Sequence, residues 1–119
     1  MKLIYSDEKT KSYCTSLKAA CKLFGGNKQL AISLIARINA LEQACVIKDI
    51  IVMPTFHFHK LKGDWNGYFA IDVKSRRDKW RIILCPLDEK EQKFHPCNID
   101  EIAEVVQIIE IREVSAHYE

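Results

Sequence analysis

The spacing of the apolar residues changes near Phe56, and this change constrains the fold more than any other feature. Before it, apolar side chains recur every three or four residues, as on one face of an α-helix. After it, they recur at every second residue, as in a β-strand with one buried face. A chain of 119 residues is long enough for one packed core. The sequence therefore predicts a single domain, 1–119, in which helices precede most of the strands.

Two amphipathic helices are predicted after a short strand at residues 3–6. Ser6 or Asp7 can cap the first helix, Gly25-Gly26 ends it, and Asn27 can cap the second. The apolar stripe of the first helix is Tyr13, Leu17, Cys21 and Phe24. The stripe of the second is Leu30, Leu34, Ile38, Leu41 and Cys45. Two such helices joined by a pair of glycines predict an antiparallel helical hairpin.

The second half of the chain predicts a meander of strands. The first starts at Phe56 and is expected to bend near Leu61, and Asn66-Gly67 predicts a tight hairpin turn because both residues tolerate positive φ. The later elements are a strand at 68–73, a loop at 74–79, a strand at 80–85 that Pro86 stops, a short helix near Asp100, and a strand at 105–114. The last strand is apolar on both faces, which indicates a central position in the sheet.

These elements predict an α+β domain with the helical hairpin on one face of a mostly antiparallel sheet. The alternative is a helical N-terminal part attached to a small barrel. No apolar run is long enough to cross a bilayer, and the first residues do not have the pattern of a signal peptide. We therefore expect a cytoplasmic protein.

Charge is distributed unevenly along the chain. Residues 1–56 carry 8 basic and 4 acidic side chains, residues 57–87 carry 7 and 3, and residues 88–119 carry 3 and 9. The net charge of +2 thus combines a basic body with an acidic C-terminal third. This pattern is compatible with a phosphate-binding face and is not that of a general nucleic-acid coat protein.

Five cysteines without a C-x-x-C pair indicate reduced thiols that pack as small apolar side chains. Cys85, His95 and Cys97 form an alternative zinc hypothesis, but a fourth ligand at the usual spacing is missing. We therefore expect no metal and no cofactor.

Basic and titratable side chains collect near the predicted strand ends. They are His59, Lys60 and Lys62 before the hairpin turn, Arg76, Arg77, Lys79 and Arg81 around the next loop, and His117 and Tyr118 at the C-terminus. Neighbouring strands of one sheet would bring these groups together. Residue types alone leave two other interpretations open: the histidines are structural, and Arg81 pairs with Asp72 or Asp78.

Such a set has the residue types that RNA cleavage without metal requires. A base takes the proton of the ribose 2′-hydroxyl, an acid protonates the leaving 5′-oxygen, and cations stabilise the charge that develops on the phosphate. Histidine suits the first two roles, and arginine or lysine suits the third. Trp65, Tyr68 or Tyr118 could stack on a base.

Three segments together resemble the HigB-type toxins of the RelE/ParE superfamily, which belong to bacterial type II toxin–antitoxin systems. The segments are His59-Lys60-Leu61-Lys62-Gly63-Asp64, Trp80-Arg81-Ile82, and Glu110-Ile111 followed by His117-Tyr118. The resemblance covers essentially the whole chain, and it implies an N-terminal strand and helical hairpin on a curved, mostly antiparallel sheet of four to five strands.

The resemblance also implies an activity and partners. Such toxins cleave messenger RNA in the ribosomal A site, without metal, and a helix-turn-helix antitoxin of the HigA type neutralises them. By this resemblance Lys62 and Arg81 contact the phosphate and the transition state, and His59 contacts substrate or carries a proton. Lys60, Arg76, Arg77 and Lys79 are expected to bind RNA or the ribosome. DNA is reached only through the antitoxin.

The C-terminus departs from the family pattern, because many relatives end in Asp-Tyr-His. An ungapped match places Glu113 at the aspartate position, whereas an insertion of three residues places His117 and Tyr118 at the functional end in reversed order. We favour the insertion, which keeps both side chains as catalytic candidates. A toxin of this fold that inhibits another target, such as gyrase, and a degenerate toxin that acts as a repressor subunit are the alternative functions.

Overall fold

The computed structural model of the protein describes residues 1–116. Its strands are β1 (Lys2–Tyr5), β2 (His59–Lys60), β3 (Phe69–Asp72), β4 (Arg81–Leu87) and β5 (Ile108–Ser115). Its helices are α1 (Glu8–Thr15), α2 (Leu17–Leu23), α3 (Lys28–Gln43), α4 (Lys48–Ile51) and α5 (Ile99–Ile102). The fold is therefore α+β, as the sequence predicts.

The described strands form one five-stranded sheet in the order β1-β5-β4-β3-β2. β1 is parallel to β5, and the other three pairings are antiparallel. The sheet is thus mostly antiparallel, and β5 lies between β1 and β4. The central position predicted for the last strand is confirmed.

The helical hairpin is also confirmed, with one difference in its first arm. Asp7 caps α1 by accepting a hydrogen bond of 2.7 Å from the Thr10 amide, and Asn27 caps α3. Ser16, however, is extended (φ −127°, ψ 117°), and its side chain caps α2. The single predicted helix is therefore two helices.

This break explains why one residue of the predicted apolar stripe is exposed. Residues after Ser16 no longer continue the rotation of α1, and Leu17 is 43% exposed. Cys45, predicted on the second stripe, is exposed as well, because α3 ends at Gln43. Gly25 and Gly26 have positive φ values of 62° and 89° and form the turn between the arms, as expected.

The main core lies between the helices and one face of the sheet. Its fully buried members include Leu34, Ile38 and Leu41 from α3 and Ile71, Ile82, Leu84, Ile109 and Ile111 from the strands. Strand residues at every second position supply this face, which fits the alternation of side chains in a pleated strand.

Three strand predictions are wrong at their ends, and the last strand begins at Ile108 instead of at residue 105. Residues Pro54–Phe56 form a 3₁₀ turn, and His57 is left-handed, so the strand starts at His59 instead of Phe56. Pro86 lies inside β4, opposite Ile109, and does not stop it. β3 pairs with β4 only as far as Leu84. Pro86 lies beyond that residue, so its lack of an amide proton breaks no hydrogen bond to β3.

The hairpin turn forms at Asn66-Gly67, although Asn66 does not adopt positive φ. Its φ of −58° and ψ of 131°, followed by a φ of 88° at Gly67, are those of a type II turn. The Tyr68 amide closes this turn by donating to the Trp65 carbonyl at 3.0 Å. The hairpin was thus predicted correctly and the turn type was not.

Within residues 1–116, no helix combines the length and the apolar character needed to cross a membrane.

Candidate functional site

The second face of the sheet carries the polar candidates. Leu61, Ala70 and Ile83 form a small separate apolar cluster there, with Trp65 and Tyr68 packed against it. His59 lies opposite Ala70, and Asp72 lies opposite Arg81, so these side chains share this face. We call it the open face, and the helices pack on the other side of the sheet.

A buried ion pair lies at one end of the open face. Arg81 Nε lies 3.2 Å from Asp72 Oδ1, and the two side chains are only 4% and 1% exposed. Asp78 Oδ1 is 3.8 Å from Arg81 Nη1. The alternative interpretation from the sequence, that Arg81 pairs with Asp72 or Asp78, is therefore what the structure contains.

Arg81 also holds the loop that precedes it. Its Nη1 donates hydrogen bonds of 2.8 Å to the carbonyls of Asp78 and Trp80, and longer contacts of 3.5 Å reach the carbonyls of Ser75 and Arg76. Because the guanidinium is buried among these acceptors, a direct phosphate contact from Arg81 would require this loop to open. The sequence-based role of Arg81 as a phosphate contact thus stays a prediction, and the geometry favours a positioning role.

The same loop presents exposed positive charge. Arg76, Arg77 and Lys79 are exposed, and we call them the basic loop. Asp78 orders the loop, because its carboxylate accepts hydrogen bonds of 2.8 Å from the amides of Ser75 and Trp80. The three cations are therefore carried on an ordered backbone, which lowers the entropy cost of binding an anion.

Arg37 of α3 fixes the neighbouring segment. Its Nε donates to the carbonyls of Asp72 and Val73, at 3.1 and 3.2 Å, and its Nη2 donates to the Thr55 carbonyl at 3.0 Å. Its guanidinium lies 4.3 Å from the centre of the Phe56 ring. Burial lowers the pKa of Arg37, and nearby Asp72 opposes this shift. Arg37 thus joins β3 to the segment before His57.

His57 follows this segment and reaches the buried carboxylate. Its Nδ1 lies 3.4 Å from Asp72 Oδ1, and its side chain is 33% exposed. Its backbone is left-handed, with φ 49° and ψ 51°, which is uncommon for a residue with a side chain. The other carboxylate oxygen, Asp72 Oδ2, is buried and has no hydrogen-bond partner within residues 1–116.

His59 is held by the backbone of His57. Its Nδ1 lies 2.8 Å from the His57 carbonyl oxygen, which can only accept, so Nδ1 carries the proton and Nε2 is left to exchange protons. The two imidazole rings are 4.6 Å apart and tilted by 35°. The histidines therefore form one pair at the edge of the open face.

Two predicted lysines follow this pair along the chain. Lys62 is exposed and directly precedes the 3₁₀ turn Gly63–Trp65, and its side chain has no polar partner among the residues described. Lys60 is also exposed, on the edge strand β2. Both ammonium groups are thus available to an anion.

The aromatic candidates contact each other. Trp65 and Tyr68 meet edge to face, with ring centres 5.2 Å apart. Lys93 Nζ lies 2.6 Å from the Tyr68 hydroxyl, a hydrogen bond that raises the pKa of Lys93. His117 and Tyr118 lie outside the described residues, whereas Ser115, two positions before His117, is opposite Arg81 in the sheet.

Cys85, His95 and Cys97 line a cleft of about 290 Å³, but they do not converge as a metal site. Within residues 1–116, no three His, Cys, Asp or Glu side chains are grouped so that they could hold a metal ion. Burial raises the pKa of the Cys85 thiol to about 11, and it also raises that of Cys97. Both shifts disfavour the thiolate that a zinc ligand requires.

Sequence reasoning missed three residues of the site: His57, Asp72 as its partner, and Arg37. His57 is next but one to a chosen candidate, and its left-handed backbone has no signature in the sequence. Asp72 was considered only as a partner of Arg81. These contacts depend on strand register and on helix packing, which residue types do not specify.

No protein-family model matches the chain, and no curated protein matches it.

Proposed function

We propose that the protein is the toxin of a type II toxin–antitoxin system, of the HigB type in the RelE/ParE superfamily. In this proposal it is a ribosome-dependent endoribonuclease that cleaves messenger RNA in the A site by attack of the 2′-hydroxyl. The observation that carries the proposal is His59, a histidine with a defined tautomer, three residues before exposed Lys62 and on the same sheet face as Arg81, which holds the basic loop.

The groups present supply the base and the cations that this reaction requires. His59 Nε2 can accept a proton, because Nδ1 is engaged by the His57 carbonyl. Lys62 supplies a point charge to the phosphate, and the basic loop together with Lys60 supplies longer-range attraction to RNA. Arg81 contributes by holding the basic loop in place. No step needs a metal or another cofactor.

The proposed partners follow from the same interpretation. The ribosome and its messenger RNA are the substrate complex, and a helix-turn-helix antitoxin is the inhibitor. The genetic neighbour should therefore encode a small helix-turn-helix protein that co-purifies with this chain. Recovery of the tagged toxin without this protein, when both genes are expressed together, would contradict the partner assignment.

A reconstituted translation reaction tests the activity. Mapping of new 5′ ends should give cuts within A-site codons when ribosomes are present and none when they are absent. Lys62→Ala should reduce the rate by at least about 100-fold, the usual size of a lost charge contact at a developing oxyanion. Lys18→Ala, an equal change at an exposed position on α2, should leave the rate unchanged. Equal rates for both variants would contradict the role of Lys62.

A second candidate is a toxin of this fold that binds its target without cleaving RNA. The burial of Arg81 favours it, because the guanidinium is occupied by Asp72 and by the loop carbonyls. In that case folded protein arrests growth without producing new 5′ ends, and toxicity survives Lys62→Ala. Cuts that require Lys62 would exclude this candidate.

A further inference from the structure

His57 has no role in the function proposed above, although it occupies an unusual position. A left-handed backbone at a residue other than glycine costs on the order of 1 kcal/mol and persists only where the surroundings enforce it. Here they do, because Arg37 binds the Thr55 carbonyl on one side and the Asp72 and Val73 carbonyls on the other. The result is a histidine ring placed between a buried carboxylate and a second histidine.

The partners of the two rings differ in charge. His57 Nδ1 faces a carboxylate oxygen of Asp72, whereas His59 Nδ1 faces a neutral carbonyl oxygen. Arg81 Nε contacts the same oxygen, Asp72 Oδ1, at 3.2 Å and helps to hold this carboxylate in place. The two ring centres are 4.6 Å apart, so both imidazoles can face one substrate.

We propose that His57 is the general acid and His59 the general base of the reaction, with Asp72 as the residue that positions His57. This inference rests on the proposed ribonuclease function and names a catalytic residue that the resemblance does not supply. Among residues 1–116, the charged groups that face His57 are Asp72 from β3 and Arg81 from β4, which contacts the same carboxylate oxygen. His59 from β2 is its titratable neighbour, and Arg37 from α3 contacts the segment before it.

The proton transfers balance in one step. His59 Nε2 takes the proton from the 2′-hydroxyl while the 2′-oxygen forms a bond to phosphorus. His57 Nε2 gives its proton to the 5′-oxygen while the bond from phosphorus to that oxygen breaks. The products are a 2′,3′-cyclic phosphate and a 5′-hydroxyl, and His57 is left neutral while His59 is charged. No oxidant, reductant or metal takes part.

A substrate with a better leaving group separates the two roles. A messenger RNA with sulfur in place of the 5′-bridging oxygen at the cut needs no general acid, because a thiolate leaves unprotonated. His57→Asn should cleave the normal message about 100-fold or more slowly than the unchanged protein does. On the sulfur-substituted message the two proteins should have similar cleavage rates. His59→Asn should be slow on both. Asparagine tolerates left-handed φ, so the first variant keeps the backbone of His57.

His95→Asn is the matched control, because His95 is exposed in the loop before α5. Normal rates for His57→Asn on the unmodified message, or no recovery on the sulfur-substituted one, would overturn the inference while the ribonuclease function stands. If the unchanged protein cleaves neither message, the proposed function and this inference both fail.

Nitrogen NMR of the imidazoles tests the geometry without any activity. Long-range ¹H–¹⁵N spectra should assign the Nδ1–H tautomer to neutral His57 and to neutral His59. Asp72→Asn should change the tautomer balance of His57 and leave that of His59 unchanged. A tautomer balance of His57 that Asp72→Asn leaves unchanged would refute the role of Asp72.

Discussion

Asp72→Asn is the most informative single change, because it removes the charge that Arg81 faces while it keeps the shape of the side chain. The two partners are 4% and 1% exposed, so solvent screens the pair little. Loss of one partner of a buried pair costs about 3–5 kcal/mol. We expect the lower end, about 3 kcal/mol, because Asp78 Oδ1 remains 3.8 Å from Arg81 Nη1.

The expected shift in melting temperature follows from the chain length. An unfolding entropy of about 2.1 cal/mol/K per residue gives roughly 0.25 kcal/mol/K for 119 residues. A loss of about 3 kcal/mol then lowers Tm by about 12 °C. Thermal and urea unfolding followed by circular dichroism measures both quantities. Asp64→Asn, at an exposed position, should change the free energy of unfolding by less than about 0.5 kcal/mol.

A double-mutant cycle with Arg81→Met isolates the interaction. With the positive charge gone, Asp72→Asn should cost at least about 1 kcal/mol less than it does in the unchanged protein. If Asp72→Asn lowers the free energy of unfolding by less than about 1 kcal/mol, and equally with and without Arg81, the reasoning is refuted. The Arg81–Asp72 pair would then not stabilise the fold.

Three further changes test other parts of the structure. Gly67→Ala should lower the free energy of unfolding by about 1–2 kcal/mol. The cost lies in the backbone alone, because φ is 88° and a new Cβ meets no atom within 4 Å. An unchanged free energy in urea unfolding would contradict the turn conformation described for Gly67. Burial raises the pKa of Cys14 from 9.0 to about 12, so the folded state retains this proton more strongly than the unfolded chain. The contribution of Cys14 to the free energy of unfolding should therefore be fully present below pH 9 and be lost as the pH rises from 9 towards 12. The free energy of unfolding of Cys14→Ala should fall less steeply over this range. Equal slopes for the two proteins, from unfolding curves at several pH values, would contradict this account. Replacement of Arg76, Arg77 and Lys79 by alanine should reduce the slope of log K for RNA binding against log salt concentration by about 2, measured by fluorescence anisotropy. An unchanged slope would show that the basic loop does not contact phosphate.

The helical hairpin was predictable because its signals are local. Asp7 and Asn27 cap helices through side-chain oxygens that act within three residues, and Gly25-Gly26 permits the positive φ of the turn. The break at Ser16 was missed although its side chain is a good helix cap. The apolar stripe continued across it, and a stripe does not indicate whether the backbone is continuous.

The composition of the site was partly predictable, whereas its pairings were not. His59, Lys62 and the basic loop were chosen from their residue types next to predicted turns, and they lie at the end or edge of the open face. The contact between His57 and Asp72 was missed, because it joins residues 15 positions apart. That contact depends on the register of β2 and β3 and on the left-handed backbone at His57.

By itself the sequence determined the α+β class, the helical hairpin, the central last strand and the concentration of positive charge before residue 88. These features follow from the period of apolar residues, from capping side chains and from glycine, which act over short distances along the chain. Tertiary structure alone decided that Arg81 is buried against Asp72 and that His57 and His59 form a pair. Burial and charge pairing depend on which strands become neighbours, and the free energy of that choice is spread over the whole core.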